Sequence, residues 1–367
     1  MSILNSGNAV TMNNNPLRAK LSDGREILYF YDEDTTITSL PKEDSRKASE
    51  RQSTPRLRLD YLSGEWVSIA TDRNQRAHLP AKNVCPLCVQ SEENQSEIPG
   101  DFDVVVFENK NPSFGPGLDE IATAEITHLG HEVSASGRCE VVVFSPNHEG
   151  SLAQLGERRI RTLVRAWAHR TKELMDLESV QTVFPFENRG EEIGVTLHHP
   201  HGQIYGYPFV PAKLRQMLQM SKMSGAGFFD EVIRFEENSP RLLLSNEDFI
   251  AFVPFAARWP IEINIMSRRA SDLTELTENE ISSFSKIYTR LLTALDSLFE
   301  EKLPYISSVY QKPKGEEKTD FRLHLRITSP RRAKNKLKFL AGSESGMGAF
   351  VSDLSPEEVA SAIRELL

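Results

Sequence analysis

The sequence predicts an α+β fold of two tandem units, each an antiparallel sheet with packed helices. Two observations in the first half start the case: short β-branched runs, "FDVVVFENK" and "RCEVVVFSPNH", and a long amphipathic stretch directly behind them. A third makes it tandem, because "DFIAFVPF" and "INIMSRRASDLTEL" repeat the order in the second half. Leu152 then matches Leu273, and His199 approximately matches His324, a displacement of about 120 to 125 residues. The resulting division is an extension and linker over 1–55, a first unit over 56–215 and a second over 216–367.

Taken in order, the residues up to about 20 are polar and read as a frayed end. Asp23-Gly24 makes a turn into the strand "REILYFYD", and the charged, turn-rich "TSLPKEDSRKASERQSTP" reads as a mobile linker. "GEWVSIA" and "FDVVVFENK" are strands on either side of a cysteine-containing loop. "RCEVVVFSPNH" stops at Ser145-Pro146, since proline has no N–H for a ladder. From Glu157 to about Leu177, the positions of Ile160, Leu163, Val164, Trp167 and Leu174 give one apolar helix face. "VQTVFPFENRG" and "GVTLHHPHGQIYGYPFVP" are two strands joined by a turn at Asn188 to Gly190. In the second half a helix opens on the capping box Thr277-x-x-Glu280. The strands "YISSVYQKPKGEE" and "DFRLHLRITSP" come next, and a last helix opens on Ser355, Pro356 and Glu358.

Composition excludes several functions. A net charge of -9 argues against a nucleic-acid partner or an anionic membrane surface. There is no apolar run near the roughly 20 residues of a membrane span, and no secretory leader pattern. Three cysteines, Cys85, Cys88 and Cys139, cannot build a disulfide framework, so a reducing cytoplasm is the expected location.

The chemistry concentrates in "TLHHPHGQIYG", which holds three of the 9 histidines. Strand alternation puts His199, His201 and Gln203 on one face and turns His198, read as a structural or solvent-facing imidazole, to the other. Cys85-Pro-Leu-Cys88 offers half of a tetrahedral zinc site, and His148 and His199 are the plausible other half. Such a site is closed, so its zinc is structural; Cys139 reads as buried filler. His201 then remains free as a nucleophile toward phosphorus. If the substrate is a nucleoside diphosphate sugar, the departing sugar 1-phosphate has a second pKa of about 6 and needs no general acid. Gly202 permits close backbone approach, and the neutral amide of Gln203 suits a phosphoryl oxygen.

With "CPLC", "FSPNH" and "FENRG", the stretch "GVTLHHPHGQIYG" resembles the galactose-1-phosphate uridylyltransferases of the histidine-triad superfamily, from about Leu57 to the C-terminus. The resemblance implies two tandem histidine-triad-like units, with His201 uridylylated by UDP-glucose, glucose 1-phosphate released, and UMP passed to galactose 1-phosphate. It implies Gln203 on the phosphoryl oxygen and Cys85, Cys88, His148 and His199 on zinc. For substrate it implies Arg73 and Arg76 on the diphosphate across the interface of a homodimer, Asn109 on the ribose, and Asn188 near the phosphates. Thr196, where the family often has serine, would offer a hydroxyl to phosphate, and Lys338 and Glu344 would hold the hexose phosphate. Two departures matter. "LHLRI" has Arg326 where the family's second metal site has a histidine, so no second metal is expected, and Ser343 replaces a common aromatic, leaving the hexose preference open. The competing readings are a related nucleotidyltransferase or phosphorylase acting on ADP-sugars or dinucleoside polyphosphates, and a zinc-stabilised nucleotide-binding module. The intact His-Pro-His-Gly-Gln argues against the second, and Gln203 argues against a histidine-triad hydrolase.

Overall fold

The computed structural model describes residues 15–37, 41–47, 55–71, 73, 80–115 and 129–367. The first half contains β1 (Leu17–Lys20), β2 (Glu26–Phe30), β3 (Arg56–Asp60), β4 (Glu65–Ile69), β5 (Val104–Glu108), β6 (Glu132–Ser134) and β7 (Arg138–Val143). It continues with α1 (Leu152–Met175), β8 (Thr182–Arg189) and β9 (His201–Tyr207). The second half opens with α2 (Ala212–Ser224) and α3 (Phe228–Glu237), followed by β10 (Leu242–Ser245), β11 (Phe249–Phe252), β12 (Ile261–Ser267) and α4 (Glu278–Ser297). It ends with β13 (Tyr305–Tyr310), β14 (His324–Ser329), β15 (Arg331–Ala333), β16 (Lys336–Leu337), α5 (Gly342–Met347) and α6 (Pro356–Arg364).

One 11-stranded sheet runs through both halves in the order β1-β2-β5-β7-β9-β8-β13-β14-β12-β11-β10. The run β5-β7-β9-β8 is answered by β11-β12-β14-β13, so the halves are related by a pseudo-twofold at the β8–β13 seam. There the strands pair antiparallel, from Tyr305 opposite Arg189 to Ser308 opposite Phe186. The expected repeat is present, but the two expected sheets are one. Left apart, β8 and β13 would each present an unpaired row of backbone groups, and pairing removes both edges. Helices α1 and α4 pack on each other and on the sheet. Val142, Phe144, Leu163 and Trp167 share a single core with Ile263, Ile265, Phe284 and Leu291. Burial of each such side chain contributes about 1.5–3 kcal/mol.

Several elements differ from the sequence reading, each for a local reason. Leu17–Lys20 is a paired strand rather than a frayed end, with Arg18 bound to Glu26 at 2.6 Å. Residues 41–47 of the charged linker are docked: Asp44 accepts from the Ser22 N–H and the Gln90 amide, each at 2.8 Å, and Arg46 pairs with Glu97 at 2.9 Å. Its flanks, 38–40 and 48–54, lie outside the described residues. Helix α1 begins five residues before Glu157, across a break at Gly156, where φ is +77°. The capping box of α4 forms in both directions. At α6, Ser355 Oγ accepts from the Glu358 N–H at 3.4 Å but donates to Glu357 at 2.9 Å.

The histidine strand also differs. It begins only at His201; Glu191–Ile193 form a short 3-10 turn, and 194–200 continue as a loop. Pro200 has no N–H for the ladder, and that ends the strand one residue before His201. The register corrects the internal match as well. Val143 lies opposite His201 and Met266 opposite His324, so His324 corresponds to His201 rather than to His199. Both rings make the same bond, Nδ1 to the carbonyl oxygen two residues back, at 2.7 Å for His201 and 2.9 Å for His324.

Gly202 is fixed by close packing. A Cβ there would lie 2.7 Å from the Phe186 carbonyl oxygen and 2.9 Å from the Phe144 ring. Gly202→Ala is therefore expected to destabilise the fold by about 1–3 kcal/mol, read as a lower urea midpoint at unchanged m-value.

Candidate active site

The loop from Gly190 to Pro200 descends between the C-terminal ends of β7 and β8. It delivers three histidines to three environments. His198 is about half exposed, its Nε2 3.5 Å from Glu191 Oε1. His199 is fully buried, and its Nε2–H donates to the Ser145 carbonyl oxygen at 2.7 Å. That bond fixes the tautomer and turns a bare Nδ1 toward the cysteine sulfurs, 3.5 Å from Cys88 Sγ and 3.9 Å from Cys85 Sγ. His148 Nδ1 is 3.4 Å from Cys88 Sγ.

The four candidate ligand atoms of Cys85, Cys88, His148 and His199 all lie within 4.8 Å of one another. A tetrahedron with metal–sulfur bonds of about 2.3 Å and metal–nitrogen bonds of about 2.0 Å has edges of that scale. The donor set suits zinc: two soft sulfurs and two imidazoles, that of His199 with its tautomer fixed by Ser145. Electrostatics agree. Burial and the neighbouring Cys85 push the Cys88 thiol up to about 11, and burial pulls His199 down to about 4. Protein alone thus favours a neutral Cys88 thiol and a neutral His199 imidazole, and a divalent cation held there would favour the thiolate.

His201 stands two residues on, outside this cluster. Its Nδ1–H donates to the His199 carbonyl oxygen at 2.7 Å, which leaves the Nε2 lone pair free. Burial pulls the imidazole below its ordinary value, so this lone pair is unprotonated at neutral pH. His201 lines a cavity of roughly 750 Å³ together with His148, Ser151, Glu187, Asn188, Arg189, His198, Lys302 and Leu303. Gln203 follows on the same strand face, opposite Val141 of β7 and Phe186 of β8.

The other sequence-predicted residues separate into three groups. Asn188 lines the cavity, and Thr196 sits between two lining residues, Val195 and Leu197. Arg73 and Asn109 come together farther along the sheet: Arg73 Nη1 donates to the Asn111 carbonyl at 3.0 Å, and Asn109 Oδ1 accepts from the Asn111 N–H at 2.9 Å. Lys338 and Glu344 are bound to each other at 2.9 Å and are not among the lining residues. Arg76 lies outside the described residues.

Sequence reasoning missed Glu187, Arg189, Lys302 and an aromatic face. Phe184, Phe186, Tyr205 and Tyr207 pack ring to ring beside Gln203, with centroid separations of 5.0 to 6.3 Å. The alternation "VFPFENR" carried the signal, since it sends Phe184, Phe186 and Asn188 to one face and Glu187 and Arg189 to the other. In the second half, Arg326 takes the place of Gln203. It donates to Asn264 Oδ1 at 3.0 Å and pairs with Glu262 at 3.6 Å. His324, stacked on Tyr310 at 5.0 Å, is pushed down to about 3 by burial and by Arg326.

Two α+β halves share one sheet, and one of them carries a strand-borne His-x-Gln beside a Cys2His2 cluster, the equipment of a nucleotidyltransferase. A model described as galactose-1-phosphate uridyl transferase, N-terminal domain, matches residues 44–211, and its C-terminal counterpart matches 215–367. The chain belongs to the galactose-1-phosphate uridyl transferase family. A galactose-1-phosphate uridylyltransferase of Streptomyces lividans is 35% identical over 369 residues, spanning 95% of this chain and 96% of that protein. One from Thermotoga maritima is 35% identical over 316 residues, spanning 84% of this chain and 98% of that protein. A solved uridylyltransferase structure superposes with a TM-score of 0.75 at 30% identity, covering 85% of this chain and 98% of the other. Among the described residues, no helix is long and apolar enough to cross a membrane.

Proposed function

We propose that the protein transfers UMP from UDP-glucose to galactose 1-phosphate by double displacement through His201. In the first half-reaction the Nε2 lone pair attacks the α-phosphorus, a P–N bond forms, and the P–O bond to glucose 1-phosphate breaks. In the second, a phosphate oxygen of galactose 1-phosphate attacks the same phosphorus and the P–N bond breaks. Neither leaving group requires a proton at neutral pH, because each departs as a sugar phosphate with a second pKa of about 6 or as a neutral imidazole.

One observation carries this reading. The His201 Nδ1–H is held by the His199 carbonyl at 2.7 Å while the His199 ring faces the sulfurs, so metal binding and nucleophilicity fall to separate imidazoles. Gln203 is assigned to the phosphoryl oxygen, Asn188 and Thr196 to the phosphates, Arg73 and Arg76 to the diphosphate, and Asn109 to the ribose. Lys338 and Glu344 are assigned to the hexose phosphate; reaching it requires opening their mutual ion pair. Zinc on Cys85, Cys88, His148 and His199 would supply rigidity, holding the carbonyl that orients His201. The working unit is a homodimer in a reducing compartment.

The test mixes enzyme with UDP-glucose alone and, separately, with ADP-glucose. Expected is one equivalent of glucose 1-phosphate from UDP-glucose in a single burst, with turnover resuming only when galactose 1-phosphate is added. Steady release without acceptor would make the protein a hydrolase. A larger burst from ADP-glucose would make it an adenylyl enzyme.

A further inference from the structure

Glu187 is a buried carboxyl in the wall of the cavity, and the displacement chemistry does not use it. It lies on β8 directly opposite Gly202, the residue between His201 and Gln203. Strand β13 and helix α4 bring polar groups to it, whereas β9 offers only Gly202. From β13, the Tyr305 hydroxyl donates to Glu187 Oε2 at 3.0 Å, and Ser307 lies opposite Glu187 in the ladder. From α4, Tyr288 shares a 2.8 Å hydrogen bond with Ser307, and Asp296 binds Arg189 of β8. Asp296 also accepts at 3.1 Å from Ser151, the N-cap of α1. Arg189 sits 5.3 Å over the Tyr305 ring and is paired with Asp296. Among the described residues, Glu187 has one hydroxyl donor and no ion pair, and Arg189 acts on it only through its charge.

From this placement we infer that Glu187 is a proton-linked positioning residue, neutral while the cavity holds the substrate's phosphates and repelling them when it ionises. The inference rests on the uridylyltransfer reading above. Burial raises this carboxyl to about 7; Arg189 and the Tyr305 hydroxyl oppose the rise and Asp296 adds to it. The sign follows. Below neutrality the wall carries a carboxylic acid, and above it a carboxylate that, from the sheet face opposite His201, repels a dianionic diphosphate in the same cavity. By reciprocity, bound substrate favours the protonated carboxyl. UDP-glucose has no phosphate group titrating between pH 6 and 8, so a change in its binding over that range belongs to the protein.

The experiment measures single-turnover release of glucose 1-phosphate against UDP-glucose concentration, from pH 6 to 8.5, separating the dissociation constant from the limiting rate. For the wild-type chain the dissociation constant is expected to rise about tenfold on going from pH 6 to 8.5, an effect of the size of one charge pair at the cavity. Glu187→Gln, nearly the same shape, is expected to bind with a flat profile. Tyr305→Phe removes the donor that favours the carboxylate, so the rise should shift to higher pH; a purely structural role for the network would not move its midpoint. A wild-type dissociation constant that is flat across this range, or the same pH dependence persisting in Glu187→Gln, overturns the inference and leaves the uridylyltransfer reading standing. If no glucose 1-phosphate appears at any pH, the uridylyltransfer reading fails and takes the inference with it.

Discussion

His201→Ala is expected to lower glucose 1-phosphate release from UDP-glucose by at least about 10⁴-fold, the scale on which nucleophile removal is felt in covalent catalysis. Among the described residues, no other imidazole lining the cavity is placed to replace it, His148 being turned to the Cys88 sulfur. His199 faces the sulfurs and is fully buried, and His198 sits half exposed beside Glu191. Binding should survive, because the alanine leaves Gln203, Asn188 and the strand register in place. Calorimetry with UDP-glucose is expected to give a dissociation constant within a few-fold of wild type. Mass spectrometry of the wild-type chain after mixing should show one UMP on the peptide containing His201. A modified peptide elsewhere, or a burst that survives in His201→Ala, would remove the central assignment.

Loss of the metal should have the second-largest effect, and a different signature. Cys88 closes the cluster on two sides, toward His148 and toward His199. Cys88→Ala leaves three ligand groups around a partly solvated gap. Bound zinc is expected to fall from about one per chain to a small fraction, and stability to drop by roughly 4 kcal/mol or more. Activity should fall in step with metal content, because the His199 backbone both precedes the nucleophile and accepts its Nδ1–H. Chelation of the wild-type protein should reproduce the effect, and zinc should reverse it. Full burst activity at negligible metal content would show that the cluster does not orient His201.

Much of this was legible in the sequence because it is local. Strand alternation, the helix face of α1, the capping box at Thr277 and the Cys-x-x-Cys spacing all depend on residues a few positions apart. The tandem repeat was legible too, since two runs of the same order need no contact information. What escaped notice depends on partners far away in the chain. Nothing near Leu17 announces Tyr29, and the turn-rich composition around Asp44 hides its bond to Gln90. The match of His324 to His199 was off by two because sequence similarity counts residues, whereas the ladder counts pairs: Val143 with His201, Met266 with His324. Glu187 was passed over for the same reason. Within "FENRG" it looks like one more charged residue, and only the seam with β13 brings Tyr305 to it and shuts water out.

That seam also bears on how the chain can be divided. The two family-model segments meet between 211 and 215, in an apparently convenient gap. Severing the chain there would leave β8 and β13 as naked borders that recognise each other, with α1 and α4 stripped of their mutual cover. The fragments would behave as complementary pieces that regain a native form only together, and each alone would tend to clump.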